Sequence, residues 1–248
     1  ILIRFAKVFG LIYTRFLDLQ KAEEQAREAQ IETALERVRT RTMAMRKSSE
    51  FAEATKLLFE QFRELGESPE RVSIGIINEA DNEMIVWAAD YGKIQPDITY
   101  RLPLWERHVL SKMFEAWKAQ KKSIIIELEG SELDEYFDFV VQHGVNVTRD
   151  EFGKRRIHNA GIFTKGVISF ITADPRPESS ILLLERFASV FDLTYTRFLD
   201  LKLAEAQAAQ AELDLDKLQE EKRNTEKALA ELKAAQAQLI QAEKMASL

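Results

Sequence analysis

The chain has 248 residues, a formal charge of −6, 46% hydrophobic residues and 31% charged residues. That length suits one or two domains with a sizeable core, at the usual ~100–200 residues per domain. Gly 9 and Pro 5 amount to about half of average usage, which makes the chain largely helical. Cys 0 excludes disulfides, thiol nucleophiles, Cys-ligated zinc and Cys-attached chromophores, while the acidic balance argues against the basic stripe of a nucleic-acid binder.

The apolar opening Ile1–Leu19 is interrupted by Arg4, Lys7, Arg15 and Asp18. A membrane-spanning helix needs about 20 mostly uncharged residues, so none is expected here. The segment also lacks the basic start, apolar centre and small-residue cleavage site of a signal peptide. Its strongest feature is that Phe5–Leu19 recurs as Phe187–Leu201, 182 residues later, with 12 of 15 positions identical. The second copy follows a globular segment, so the first is expected to be the final helix of a preceding domain of the same kind. With both ends falling inside helical patterns, the chain reads as a piece of a larger cytoplasmic protein.

From Lys21 to about Lys47 the chain is charged and helix-favouring, and Ile31, Leu35, Val38, Thr42 and Met45 are spaced 4, 3, 4, 3. That spacing predicts one seam of a two-stranded coiled coil, with Ile31, Leu35 and Val38 meeting a second copy. Ser48 or Ser49 is expected to cap a new helix over Glu50–Leu65 with an apolar stripe of Phe51, Ala54, Leu58, Phe62 and Leu65, ended by Gly66 and Pro69.

The middle changes character. Val72–Ile77 and Met84–Ala89 read as strands joined through a polar loop, with Ile98–Leu102 as a weaker third. Trp105–Gln120 carries Trp105, Val109, Met113, Ala116 and Trp117 at helical spacing, and Ser123–Leu128 reads as a fourth strand buried on both faces. Ser131 starts a short helix with Leu133, Tyr136, Phe137 and Val140 as its apolar side; Ile157–Phe163 and Gly166–Thr172 are two further strands turning at Thr164-Lys165-Gly166. Pro175 and Pro177 mark the exit. From about Glu178 to Leu248 the pattern is one helix of ~70 residues, about 100 Å at 1.5 Å per residue, and a helix that long is expected to pair. Ala228, Leu232, Ala235, Leu239, Ala242 and Ala246 alternate at 4 and 3, a heptad seam, preceded by the polar stretch Glu220–Lys227.

Catalytic and metal signatures are missing. His108, His143 and His158 have no short ligand spacing, no Gly-Lys-Ser/Thr phosphate loop occurs, and no Gly-x-Ser-x-Gly elbow is present. No cofactor and no enzymatic activity of this piece are therefore expected. The basic run Arg37, Arg39, Arg41, Arg46 and Lys47 reads as a solvated helix flank and the acidic run Glu127–Asp138 as a polar face. Trp87, Tyr91, Tyr100, Trp105, Phe114 and Trp117 are aromatic candidates for a ligand pocket or for plain core; Arg101 and His108 are the anchors an anion would use, which makes Trp87, Tyr91, Arg101, Trp105 and His108 the candidate pocket.

This order of elements resembles the GAF domain, over about residues 49–201. The resemblance implies an α+β fold: an antiparallel sheet flanked by helices, with long N- and C-terminal helices continuing as dimeric coiled coils. The Asn-Lys-x-Phe-x-Asp/Glu pattern of the cyclic-nucleotide-binding members is absent, and so is the Cys of the bilin-binding members. Residues Leu232–Leu248 resemble the lead-in to the dimerisation and phosphoacceptor domain of bacterial sensor histidine kinases, whose phosphoacceptor His follows later. The resemblances imply three regions: residues 1–48 as the end of a preceding sensor domain plus a linker helix, 49–201 as a GAF-like sensor, and 202–248 as a signalling helix. They imply a homodimer of a two-component signalling protein with the kinase in cis, and an unknown small-molecule ligand. Two alternatives remain open at this stage: a ligandless dimerisation and relay module, and the sensor module of a nucleotide cyclase.

Overall fold

No proline precedes Pro69, and in the computed structural model the first helix, α1, runs unbroken over Leu2–Met43. The structure describes residues 2–67, 69, 71–90 and 93–246, with side chains described at 9–67, 69, 71–87 and 99–242. Two compact units emerge, Ile1–Phe198 and Leu199–Leu248. In the first, α1 is followed by a 3₁₀ turn (Ser48–Glu50), α2 (Phe51–Glu64), β1 (Arg71–Asn78), β2 (Glu83–Asp90), β3 (Lys93–Pro103), α3 (Leu110–Lys118), β4 (Ser123–Glu129), α4 (Gly130–Gln142), α5 (Arg149–Phe152), β5 (Arg155–Phe163), β6 (Gly166–Thr172) and the beginning of α6 (Glu178–Ala246). The second unit is the helical remainder of α6. No described helix is long and apolar enough to cross a membrane.

The fold is α+β. Its six strands form one antiparallel sheet in the order β3-β2-β1-β6-β5-β4, so β1 and β6 are central and β3 and β4 are edges. Successive strand residues point to opposite faces, and the sequence exploits this fully at the centre. Ile74, Ile76, Ile168 and Phe170 join one buried cluster with α1, α2 and α6, while Met84, Leu102, Ala160 and Val167 join a second with α3 and α4. Every residue of β6 is buried, the signature of a central strand covered on both faces. Strand β4, expected to be buried on both sides, is instead an edge: Ile125 is 55% exposed because one face of β4 has no covering layer.

Gly166 is required by close approach. A Cβ there would stand 1.9 Å from the Gly75 carbonyl oxygen, so the start of β6 packs directly on the backbone of β1.

The first-unit part of α6 lies beside α1, and later residues of one pair with later residues of the other, so the two run parallel. Arg186 pairs with Glu28 (2.9 Å) and Glu32 (2.5 Å), the buried hydroxyls of Thr42 and Thr194 meet at 2.7 Å, and Arg197 Nη2 donates to the Met45 carbonyl at 3.2 Å. Thr194 in turn donates to the Val190 carbonyl, leaving neither hydroxyl unsatisfied. Leu35, Val38, Thr42 and Met45, four positions of the expected intermolecular seam, are therefore buried within a single chain, with Leu35 and Val38 in the cluster formed with α2, α6 and the sheet. Ile31 packs at the edge of the same cluster. A 4-3 spacing identifies the face that is covered and leaves open whether the cover is another copy or the chain itself.

Candidate functional site

The sheet face that carries the site is shaped by one buried carboxylate. Glu106 is 3% exposed, and its side chain accepts hydrogen bonds from the backbone N–H groups of His108 (2.5 Å), Val109 (2.8 Å) and Leu110 (2.9 Å). These are donors that a helix start leaves without partners, so Glu106 fixes the beginning of α3 at Leu110, five residues later than the hydrophobic spacing from Trp105 suggests. Residues 104–109 thus cross the sheet as a turn. They lead into α3, which packs over β4, β5 and β6, while α4 packs against β4 and β5; Val109, Leu110 and Met113 on one side and Tyr136 and Val140 on the other join the apolar cluster on this face.

Between these helices and the sheet lies a cavity of about 60 Å³. Alternation along the strands supplies its floor: Arg71, Ser73 and Gly75 from β1, Met84 and Val86 from β2, Arg156 and His158 from β5, and Val167, Ser169 and Ile171 from β6. The lining is mainly apolar, with two guanidinium groups, an imidazole, two phenols and two serine hydroxyls among it. Arg156 is 5% exposed and its guanidinium lies over the Phe152 ring, 4.2 Å from the centroid. His158 is 3% exposed and sits edge-on to Tyr136, with ring centroids 5.5 Å apart. Burial pushes the His158 imidazole well below its ordinary value of 6.5, and the Arg156 charge pushes it the same way, so it is neutral at pH 7. Burial likewise raises the Tyr136 phenol, which stays protonated. His158 Nε2 and Ser169 Oγ have no hydrogen-bond partner. Two buried polar atoms unengaged on one cavity wall are the feature that most needs an explanation.

Of the residues expected to form a pocket, Trp87, Arg101, Trp105 and His108 do not line this cavity. Trp87 points to the opposite sheet face and packs on the cluster with α1, α2 and α6. Arg101 is on the exposed side of β3, paired with Glu83. Trp105, in the turn before α3, is 65% exposed and rests edge-on against Phe139. His108 is buried but turned toward α4, with Nε2 2.9 Å from Glu135, which also pairs with Arg107. Tyr91 lies outside the described residues. Of the aromatic candidates, only Tyr100 lines the cavity among the described residues. Arg71 and Arg156 fall just outside the strands expected from Val72 and Ile157, whereas His158 and Ser169 lie inside expected strands whose cavity-facing side the sequence pattern did not single out. The available signal was the alternation Arg156, His158, Ala160, Ile162 on β5, polar at one end and apolar at the other. Among the described residues, no group of three His, Asp or Glu side chains is placed to hold a metal ion.

No protein-family model matches the chain, and no curated protein matches it. Among solved structures it is similar to a methyl-accepting chemotaxis protein fragment, residues 122 to 287, at 14% identity and a TM-score of 0.43, covering 67% of this chain and 98% of that one. It is also similar to the GAF domain of an Acinetobacter phosphoenolpyruvate-protein phosphotransferase, at 12% identity and a TM-score of 0.43, covering 66% and 92%.

Proposed function

We propose that the chain is a GAF-like sensor and signal-relay module of a multidomain sensor histidine kinase, and that it works as a homodimer. One observation carries this reading: a single sheet has the cavity on one face and the parallel helices α1 and α6 on the other. A ligand that reshapes the cavity wall therefore acts on strands whose next residues support both helices. The resemblance of residues Leu232–Leu248 to the kinase lead-in supports the direction of output. The exposed heptad residues Leu232 (58%) and Leu239 (63%) support pairing of α6 with a second copy, since a seam so spaced is covered in a parallel coiled coil. The repeat supports a preceding domain of the same kind: Phe9, Tyr13 and Phe16 are exposed, whereas their counterparts Phe191, Tyr195 and Phe198 pack on the domain core.

The test is sedimentation of the chain at micromolar concentration beside a variant carrying Leu232→Glu and Leu239→Glu. The chain should sediment as a dimer and the variant as a folded monomer. A monomeric parent chain would refute the dimer. Labelling the full-length polypeptide with ATP should give an acid-labile, alkali-stable histidine phosphate outside His108, His143 and His158, and its absence would refute the kinase assignment.

A further inference from the structure

We infer that residues 5–19 of α1 dock onto a sheet domain that precedes them in the same polypeptide, in a seat like that of Phe187–Phe198 but apolar where this domain presents Thr42. This rests on the proposed reading of the repeat as the end of a preceding domain, and it names the docking face and what covers it.

The face is bare in this chain. Phe9, Ile12, Tyr13 and Phe16 recur at i, i+3, i+4 and i+7 on one side of α1, and all four are exposed, as are Leu11, Leu17 and Leu19. A contiguous apolar face of this kind marks an interaction surface. Its spacing would also serve a coiled coil with another molecule of this chain, but its side chains do not suit one. A two-stranded seam takes aliphatic knobs, whereas three of these four residues are aromatic. The later copy of the repeat shows what such a face fits. There Phe191 and Tyr195 lie against Phe163 of β5 and Phe51 of α2, and Phe187 meets Phe62.

Charge points to the same partner. Arg186 pairs with Glu28 and Glu32 of α1, and Arg197 donates to the Met45 carbonyl just beyond the end of α1, where the carbonyls lack helical partners and the dipole is negative. Arg4 and Arg15 occupy the same two places in the first copy. The sequence thus carries the same two cations for an entry helix with carboxylates along it and free carbonyls at its end. On this inference α1 is the exit helix of one domain and the entry helix of the next.

Three positions differ between the copies, and they say how the two seats differ. Thr194 shares a buried hydrogen bond with Thr42, and Asp192 accepts one from Thr164. The first copy has Ile12 and Gly10 at those places, and Lys7 for the exposed Ser189. An isoleucine against Thr42 would leave a buried hydroxyl unpaired, so the preceding entry helix carries an apolar side chain there. The same differences disfavour residues 5–19 in this domain's own seat.

The experiment is hydroxyl-radical footprinting, read by mass spectrometry, of this chain and of the full-length polypeptide, each with and without Leu232→Glu and Leu239→Glu. Tyr13 is 53% exposed and its counterpart Tyr195 is 7% exposed. Tyr13 and Phe16 should therefore be oxidised severalfold more slowly in the full-length polypeptide than in this chain, whether or not the two leucines are replaced. Leu11, whose counterpart Leu193 stays exposed, should change little. Ile12→Asp in the full-length polypeptide should return Tyr13 and Phe16 to the rate seen in this chain; where that variant does not fold, the unsubstituted proteins decide alone. Equal oxidation of Tyr13 and Phe16 in the two proteins would overturn the docking. So would protection in this chain that Leu232→Glu and Leu239→Glu abolish, which would assign the face to another molecule of the chain. Neither result touches the kinase assignment, which the histidine phosphate decides.

Discussion

The repeat provides a controlled comparison inside one molecule. Phe9 and Phe191 occupy equivalent positions in two copies that share 12 of 15 residues, yet Phe191 is 0% exposed and Phe9 is 62% exposed. Phe191 packs against Phe163 (5.1 Å between centroids), Phe51 (5.8 Å) and Tyr195 (6.2 Å), joining β5, α2 and α6. Truncating it removes those contacts and leaves a cavity, and Phe→Ala in a core costs about 3–5 kcal/mol. In a unit of this size each kcal/mol is worth roughly 2–4 °C in Tm, so Phe191→Ala should lower the melting temperature by ~6–20 °C. Among the described residues Phe9 meets the ring of Tyr13, with centroids 6.3 Å apart, and its replacement by Ala should stay within about 0.5 kcal/mol. Thermal and urea unfolding of both variants, followed by circular dichroism and by tryptophan fluorescence, gives the two numbers. If Phe9→Ala lost as much stability as Phe191→Ala, the first copy would be covered in solution, and the contrast drawn from burial would be refuted.

Two further outcomes follow from the buried groups. His158 is held neutral when folded and titrates near 6.5 when unfolded. Below that pH only the unfolded chain takes up the proton, so stability should fall as pH drops from 7 to 5, by at most about 1.4 kcal/mol per pH unit from this group. His158→Gln should flatten that slope in urea titrations run at each pH, and an unchanged slope would place the titration elsewhere. Gly166→Ala drives a Cβ into the Gly75 carbonyl, so it should destabilise the sheet by about 3 kcal/mol in the same assay; a neutral result would mean that β1 and β6 separate without loss.

Much of the fold is legible because its signals are local. The apolar stripe of α2, the run of β6 and the turn at Thr164–Gly166 each follow from neighbouring residues, and all lie where the patterns put them. What the sequence hides is pairing partners. Ile124 to Ile126 reads as a buried strand, yet its place at the sheet edge, which exposes Ile125, is fixed by residues of β5 thirty or more positions away. Trp105 continues a helical spacing, but Glu106 starts the helix at Leu110 through its side chain, a competition with the backbone that periodicity does not register. The cavity was hidden for the same reason. The aromatic residues Trp87 and Trp105 lie off the cavity, while its guanidinium groups sit near strand starts, on half-buried Arg71 and buried Arg156, and come together only when β1 and β5 flank β6.

The sheet order has a mechanical consequence. On β1, Arg71 and Ser73 face the cavity while Val72 and Ile74 face the helices; on β6, Ser169 and Ile171 face the cavity while Ile168 and Phe170 face the helices. Each of these cavity residues is thus one peptide unit from a residue that supports α2 or α6; Phe170 meets Phe62 in a tilted pair with centroids 4.0 Å apart, and Phe62 in turn meets Phe187 at 5.1 Å. Closely packed interiors transmit small displacements rather than absorbing them. In the relay proposed above, a change at the cavity face of β1 or β6 would shift the seat of α6 at Phe187, seven residues before the Thr42–Thr194 hydroxyl pair that ties α6 to α1. Coupling of this kind needs only about 1–3 kcal/mol, the scale of one charge-assisted hydrogen bond. On that proposal the cavity and the helices need no separate pathway between them, because the two faces of β1 and β6 would be the connection.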